Sequence, residues 1–566
     1  MKQEIISRIH ILFWCVVAVA LLLVFRLYYV QVLHGNSYAE IAQRQYMRSN
    51  DRLFNRGTIY YTTKDNELIS GASISYGYTL AVSPKAMVDD MSVYEPLLSL
   101  VGSSKQELQS IKSSGAYTVL KKRVTDITEL EKLSLPGVIQ EREQWRTYPY
   151  ETLSSQTLGF IGYDANDAVV GRAGIEQYYE ATLARDNSKL FRNFFAQLFS
   201  NIDAATDDTK YNVEGDIVTT LEPRVSAHLK EEIEKIHQQY QSEETGALVM
   251  DTLTGEIVAM EATPSFNPNS IAPEDLENLQ NPLVQKRYEF GSIIKPLTIA
   301  VALDAKVISK NSTYTDTGCV TLNEEKVCNY DKLARGVVDV QTILGRSLNV
   351  GIAHVVSLLP YNTLTRYFET LSMNDVTGID VPGEIRGTID NITENPSEMD
   401  VASAGFGQGI AQTPLGALVA LSSLAREGSV QTPRIVDYIK YSSGITRSIN
   451  EGEPVQVFSK KTTDTVTEML VNVADDYLLK GKVKIDTMSV AAKTGTAQII
   501  NDYGRYDEHR FMHSIFGYFP ASKPRYIILM YTRAPKGVEY ASETLGEPFM
   551  DFVKFLIQYY AIPPDR

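Results

Sequence analysis

Tyr288-Glu289-Phe290-Gly291-Ser292-Ile293-Ile294-Lys295-Pro296 is the stretch from which the rest of the chain takes its meaning. It holds the chain's one Ser-x-x-Lys. At the start of a helix, positions i and i+3 share a face, so the lysine amine reaches the serine hydroxyl. A hydroxyl becomes a useful nucleophile only when a neighbour takes its proton. A lysine does that once desolvation or a second cation lowers its pKa. Phe290, Ile293, Ile294 and Leu297 supply an apolar setting of that kind. Taken alone, Ser292 reads first as an ordinary helix N-cap, so the chemistry must be carried by other parts of the chain.

Two clusters downstream join it. Ser347-Leu348-Asn349 places a hydroxyl and a carboxamide two residues apart, ahead of the helical run Val350-Gly351-Ile352-Ala353. Lys493-Thr494-Gly495-Thr496 opens an isolated strand, Val490 to Ile500. There a lysine and threonine hydroxyls suit a carboxylate, and a glycine lets a substrate backbone come close. Each cluster has a bland reading by itself, a turn residue or a solvated strand end. Together and in this order they form the Ser-x-x-Lys, Ser-x-Asn and Lys-Thr-Gly set of the serine β-lactamases and penicillin-binding proteins.

The flanking pattern is consistent with a folded catalytic module. Asp216 to Leu221 reads as a strand and Pro223 to Gln239 as a helix. Ala247 to Asp251 and Glu256 to Met260 flank a turn that ends in Gly255, which reads as a hairpin. Ser514 to Tyr518 and Tyr526 to Tyr531 read as a second, and Glu547 to Tyr559 as a terminal helix. Two hairpins and the isolated strand predict an α+β fold, a five-stranded antiparallel sheet flanked by helices. Asp203 to Gly215 is polar and acidic and marks a boundary. Before it, strand patterns begin at Arg56-Gly57-Thr58-Ile59-Tyr60, and Gly171 to Tyr179 reads as a glycine-rich turn into a helix. Nothing there pairs a nucleophile with a base. Lys189 to Ile202 carries aromatic residues on one helical face.

The 566 residues exceed one typical core and imply more than one domain. A net charge of -15 excludes nucleic acid as a partner. Seven scattered histidines and three cysteines give no metal-ligand spacing, so no metal or other cofactor is expected. Ile9 to Phe25 lacks Asp, Glu, Lys and Arg, and twelve of its positions are Leu, Ile, Phe or Val. On the insertion scale that is worth roughly -4 to -7 kcal/mol. Without a small-x-small cleavage site behind it, the run reads as an uncleaved anchor extended to Leu33. Cys319 and Cys328 flank a hairpin pattern with Asn323-Glu324 at its turn. Counting outward from the turn faces them as a non-hydrogen-bonded pair, within disulfide reach. Either a bridge or two small thiols fits that position.

The whole chain resembles a class B penicillin-binding protein, a membrane-anchored D,D-transpeptidase of bacterial peptidoglycan synthesis. Beside the three motifs, Arg56-Gly57-Thr58-Ile59 and Gly174-Ile175-Glu176 resemble the family's pedestal module. Phe266-Asn267-Pro268-Asn269, Thr377-Gly378-Ile379-Asp380 with Glu384 and Gly387, and Gly407-Gln408-Gly409-Ile410 resemble its catalytic module. Phe290 departs from a common proline, and Lys64 to Asn66 lacks the usual Asn-Gly.

The resemblance implies a cytoplasmic tail (1–8), an anchor (9–33), a pedestal or dimerisation-type domain (34–212) and a transpeptidase domain (213–566), with catalysis outside the inner membrane. It implies that Ser292 attacks the terminal D-alanyl bond of a stem peptide, with Lys295 as base. Ser347 relays a proton, and Asn349 holds the donor peptide and Lys295. Lys493, Thr494, Gly495 and Thr496 bind the terminal carboxylate side, and Gln498 lines the acceptor side. Expected partners are peptidoglycan stem peptides, β-lactam antibiotics, the cell membrane, a membrane-embedded glycan polymerase and other division proteins. A septal role is expected. The alternatives are an elongation-type transpeptidase, a β-lactamase, a D,D-carboxypeptidase and a catalytically idle scaffold.

Overall fold

The computed structural model describes residues 55–127, 135–185, 214–450, 452–501 and 504–566, and four helical positions, Trp14, Val17, Leu21 and Leu22. The expected anchor (9–33) lies outside the described residues but for those four, and the aromatic stretch Lys189 to Ile202 lies wholly outside them. No helix among the described residues is long and apolar enough to cross a membrane.

The chain divides into two compact units. The smaller is built from Ile74–Trp145. Its strand, the second half of Leu68–Val82, pairs with Thr118–Val124 in the register Tyr78↔Val124. Helices Glu95–Val101 and Lys105–Ser114 share its core of Leu80, Val82, Tyr94, Leu97 and Leu108. Ser104 and Glu107 form a reciprocal cap at the second helix.

The larger unit comprises Arg56–Ser73, Arg146–Arg185 and the described chain from Glu214 to Arg566. Two helices and five strands organise its catalytic half. Helix α1 is Pro223–Tyr240, and its first turn is capped by the Glu222 carboxylate. Strands β1 (Glu244–Asp251) and β2 (Ile257–Thr263) make the first predicted hairpin, with Ala247 opposite Glu261. Far along the chain come β3 (Ala491–Ile500), β4 (Tyr506–Phe519) and β5 (Tyr526–Arg533). The sheet order is β3-β4-β5-β1-β2, antiparallel throughout, so β5 is central. The terminal helix α2 is Ala541–Tyr559; it starts six residues before the predicted Glu547 and runs through Pro548.

Side-chain alternation divides the sheet's two faces. Ala247, Val249, Ile528 and Met530 point to one face, where Val225, Leu229 and Ile233 of α1 meet Phe549, Phe552 and Val553 of α2. Leu248, Met250, Ile527 and Leu529 point to the other, where they join Ile293, Leu297 and Ile299 beyond the nucleophile stretch. A strand buried on both faces needs a continuous apolar run, and Tyr526-Ile-Ile-Leu-Met-Tyr is one.

The predicted strand at Asp216 to Leu221 forms as Gly215–Thr219, outside the five-stranded sheet. It pairs in parallel with Ile59–Thr62 and antiparallel with Val436–Tyr441. Arg56 and Arg146 both reach Glu176 in this part of the unit, at 2.5 and 2.6 Å, and all three are buried. Arg56 also holds Glu180 at 2.6 Å. Cys319 and Cys328 are opposite one another, their Cα atoms 4.1 Å apart, and are joined by a disulfide.

Candidate active site

The nucleophile stretch is shaped by backbone contacts on three sides. Gly291–Ile293 is a single 3-10 turn that runs into the helix Lys295–Asp304. Ser292 caps neither element; the N-cap positions are Phe290 and Ile294. Among the described residues its hydroxyl makes no hydrogen bond, which leaves it available. The Gly291 N–H donates to the Gly407 carbonyl at 3.1 Å. A side chain at Gly407 would strike the Gly291 carbonyl at 2.2 Å, so the run Gly407-Gln408-Gly409 must be bare where it backs the turn. Tyr288 and Gln412 exchange backbone hydrogen bonds at 2.8 and 2.9 Å.

Strand β3 closes the third side. Gly495 was expected to admit a substrate backbone; what comes close to it within the molecule is the Phe290 carbonyl. A Cβ there would lie 2.3 Å from that oxygen. The same carbonyl accepts from Ser514 Oγ at 2.9 Å, and Ser514 sits opposite Gly495 across β3 and β4. A Cβ on Gly291 would reach the Thr496 carbonyl at 2.9 Å. Turn and strand therefore abut, with Ser292 and Thr496 on either side of the seam. Thr496 Oγ1 accepts from the Ala541 N–H, which ties β3 to the start of α2.

Lys295 is wholly buried. Its amine donates to the Ser347 carbonyl at 2.7 Å, to Asn349 Oδ1 at 2.7 Å and to Ser347 Oγ at 3.2 Å. Ser347 sits between the helices Val340–Gly345 and Asn349–Ser357 with φ +55°. That left-handed conformation costs an L-residue about 1–2 kcal/mol. Here it accompanies a carbonyl and a hydroxyl both turned to Lys295. Lys493 Nζ donates to the same hydroxyl at 3.1 Å and to the Thr494 carbonyl at 2.9 Å. So Lys295, Ser347, Asn349 and Lys493, from three distant segments, form one hydrogen-bonded cluster.

The electrostatics of this cluster are one-sided. Among the described residues neither lysine has a carboxylate within ion-pair distance. Burial, with the charge of Lys493 second, holds the Lys295 amine well below its ordinary value. Burial also brings Lys493 down to about 7. A lysine amine held down in this way is able to take a proton from a hydroxyl.

Gln498 lines a cleft of about 600 Å³ with Tyr288, Glu289, Ile385 and Met512. Glu289 accepts from Tyr506 Oη at 3.0 Å and the Gly409 N–H at 3.2 Å, and burial raises its carboxyl. Sequence reasoning missed Glu289 and Ser514. Glu289 adjoins the motif and was open to suspicion; Ser514 gave no signal beyond one hydroxyl in an apolar strand. No metal-holding group of His, Cys, Asp and Glu occurs among the described residues.

A serine with no hydrogen-bond partner among the described residues, three positions before a buried lysine of lowered pKa, in a turn that abuts the edge strand of a five-stranded sheet, is the arrangement of a serine acyl-transferring enzyme of the penicillin-recognising kind. The match to known proteins is of the same kind. A family described as the penicillin binding protein transpeptidase domain matches residues 245–553, and the penicillin-binding protein dimerisation domain matches 54–196. The chain belongs to the penicillin-binding protein transpeptidase family, as a class B member with both modules.

Stage V sporulation protein D of Bacillus subtilis is 25% identical over 552 residues, covering 94% of this chain and 82% of the relative. A probable peptidoglycan D,D-transpeptidase PenA of Neisseria gonorrhoeae is 25% identical over 99% of this chain and 93% of its own. The peptidoglycan D,D-transpeptidase FtsI of Escherichia coli is 24% identical over 74% and 68%. In fold, the chain is similar to the crystal structure of penicillin binding protein 3 of Mycobacterium tuberculosis complexed with aztreonam, with TM-score 0.69 and 20% identity over 91% of this chain and 98% of that one.

Proposed function

We propose that this protein is a peptidoglycan D,D-transpeptidase that cross-links stem peptides during septal wall synthesis through a Ser292 acyl-enzyme. The buried Lys295 amine, hydrogen-bonded into the Ser347–Asn349 turn and facing Lys493, carries the reading. Ser292 Oγ attacks the carbonyl between two terminal D-alanines while Lys295 takes its proton. The N–H groups of Ser292 and Thr496 receive the oxyanion, the largest electrostatic contribution in such sites. The C–N bond then breaks, and Ser347, between the two lysines, relays a proton to the departing D-alanine. An amine of a neighbouring stem attacks the acyl-enzyme, frees Ser292 and completes the cross-link. Lys493, Thr494 and Thr496 hold the terminal carboxylate of the donor, Asn349 fixes its peptide, and Gln498 faces the acceptor. A β-lactam enters as a donor mimic and stays on Ser292.

The disulfide supports an extracytoplasmic catalytic module (213–566), since such bridges persist in oxidising compartments. With it go a pedestal (34–212) and a single anchor at 9–33. The names of the FtsI relatives support the peptidoglycan D,D-transpeptidase activity; the septal role and the division partners rest on the family resemblance. Labelling purified protein with a fluorescent penicillin tests the reading. Wild type labels in proportion to time and Ser292→Ala does not; labelling that persists in Ser292→Ala removes Ser292 as the nucleophile.

A further inference from the structure

The hairpin Cys319–Cys328 stands directly behind Asn349. The carboxamide Nδ2 of Asn349 donates to the Cys328 carbonyl at 3.0 Å. The next backbone amide, Val350 N–H, donates to Asn329 Oδ1 at 3.2 Å. Asn329 is itself held by both oxygens of buried Asp316, at 2.9 and 3.1 Å, and its N–H bonds the Gly318 carbonyl at 2.9 Å. At the far end, Asn323 in the hairpin turn accepts from the Met399 N–H at 3.2 Å. The last hairpin residue, Cys328, and the residue after it, Asn329, thus dock on two consecutive residues at the start of the Asn349 helix.

An amide side chain has one end that donates and one that accepts. A backbone carbonyl only accepts, so Cys328 selects the nitrogen end of Asn349. The oxygen end is thereby turned to Lys295, which it meets at 2.7 Å. Without the Cys328 carbonyl in place, nothing on that side distinguishes the two ends. A reversed amide would point N–H groups at the Lys295 amine. We propose that the Cys319–Cys328 bridge is a positioning element of the transpeptidase reaction, holding the Cys328 carbonyl where it fixes the rotation of Asn349 and hence the hydrogen bonding of the catalytic base. This rests on the Ser292/Lys295 reading above.

The test compares acylation by a fluorescent penicillin across pH in three samples: bridged wild type, Cys319→Ser/Cys328→Ser, and wild type reduced with dithiothreitol and desalted without air. In the last, two electrons and two protons from dithiothreitol convert the bridge to two thiols, and dithiothreitol leaves as its cyclic disulfide. The expected result is an acylation rate roughly ten- to a hundredfold lower in both bridgeless samples, the scale of a small misplacement of a reacting group. Acylation needs neutral Lys295, so its rate rises with pH. An acceptor withdrawn from the amine favours the neutral form, so this rising limb moves to lower pH. Lys493 is the charged group facing Lys295 in every sample.

Air re-oxidation restores both rate and limb in wild type and does nothing to the double variant. Equal rates and limbs in all samples overturn the proposal. So does a slower rate with an unmoved limb that tracks the loss of folded protein by circular dichroism, because a purely stabilising bridge acts that way. If bridged wild type fails to label, or Ser292→Ala labels, the parent reading falls and takes the positioning role with it.

Discussion

The larger unit buries two charge clusters, and they are built on opposite plans. Around Glu176, two arginines face two carboxylates, with Tyr148 Oη on the same carboxylate at 3.1 Å. Around Ser347, two lysines face no carboxylate at all among the described residues. In the first, ionised groups satisfy one another, and the arginines hold the Glu176 carboxyl below its usual range despite complete burial. In the second, burial is uncompensated, so it pulls both amines down, Lys493 to about 7 and Lys295, which also feels the Lys493 charge, well below its ordinary value. Opposite charges brought together out of water fasten a structure. Like charges brought together out of water store reactivity.

The widest separation of the two clusters comes from Lys295→Met. Acylation by a fluorescent penicillin falls roughly 10⁴- to 10⁶-fold, as when a base is removed from a hydroxyl nucleophile. Thermal stability falls only slightly, because relief of a buried, unpaired amine offsets the donor lost to Ser347 and Asn349. A large drop in melting temperature would break the contrast.

Glu176→Ala inverts that pattern. Two buried guanidiniums lose their common partner, at a cost of about 3–5 kcal/mol in urea unfolding. The folded remainder acylates at the wild-type rate; a specific loss of rate would place this cluster in the chemistry.

Lys493→Ala sharpens the second cluster. Its charge lowers the Lys295 amine, so its removal raises that pKa and moves the rising limb of acylation to higher pH. The rate drops roughly 10²-fold with loss of a carboxylate-binding cation. A limb that stays in place would show that the lysines act independently.

The smallest effect is at Glu180, which is 31% exposed in its pair with Arg56. Glu180→Ala costs about 1 kcal/mol or less in the same urea measurement, because solvent screens a part-exposed pair. A loss equal to that of Glu176→Ala would show that burial is not what divides strong pairs from weak ones.

The convergence of Lys295, Ser347, Asn349 and Lys493 was legible from residue types, because hydroxyl, amine and amide chemistry needs particular side chains. The five-stranded sheet was legible too: Ala247 to Met260 and Ser514 to Tyr531 have hairpin spacing, and both hairpins form. So was the pairing of Cys319 with Cys328, because a two-residue turn fixes register on both sides.

The partners of Gly215–Thr219 were not legible, since alternation reports which face is buried and not which strand lies alongside. Arg56 and Glu176 were both noted as parts of motifs, yet the bond between them spans 120 positions that no local pattern bridges. The contacts of Gly291 with Gly407, Ser514 with Phe290, and Asn349 with Cys328 each end on a backbone carbonyl. Every residue carries such an oxygen, so residue type gives no trace of it. The terminal helix begins six residues before its predicted start, across Gly546 and Pro548, residue types that weaken a helix interior. Gly546 in fact lies where a side chain would press on Leu479, so its bareness serves packing.

Strand order has a temporal side. Central β5 is joined to β1 by the register Tyr526↔Asp251, so the sheet draws together sequence positions some 275 residues apart. Contacts of such long range close late. A chain emerging from its N-terminus carries Ser292 and Lys295 well before Lys493, Ser514 or β5 exist. The surroundings of Ser292 are therefore complete only when β3, β4 and β5, the last strands made, have joined β1 in one sheet.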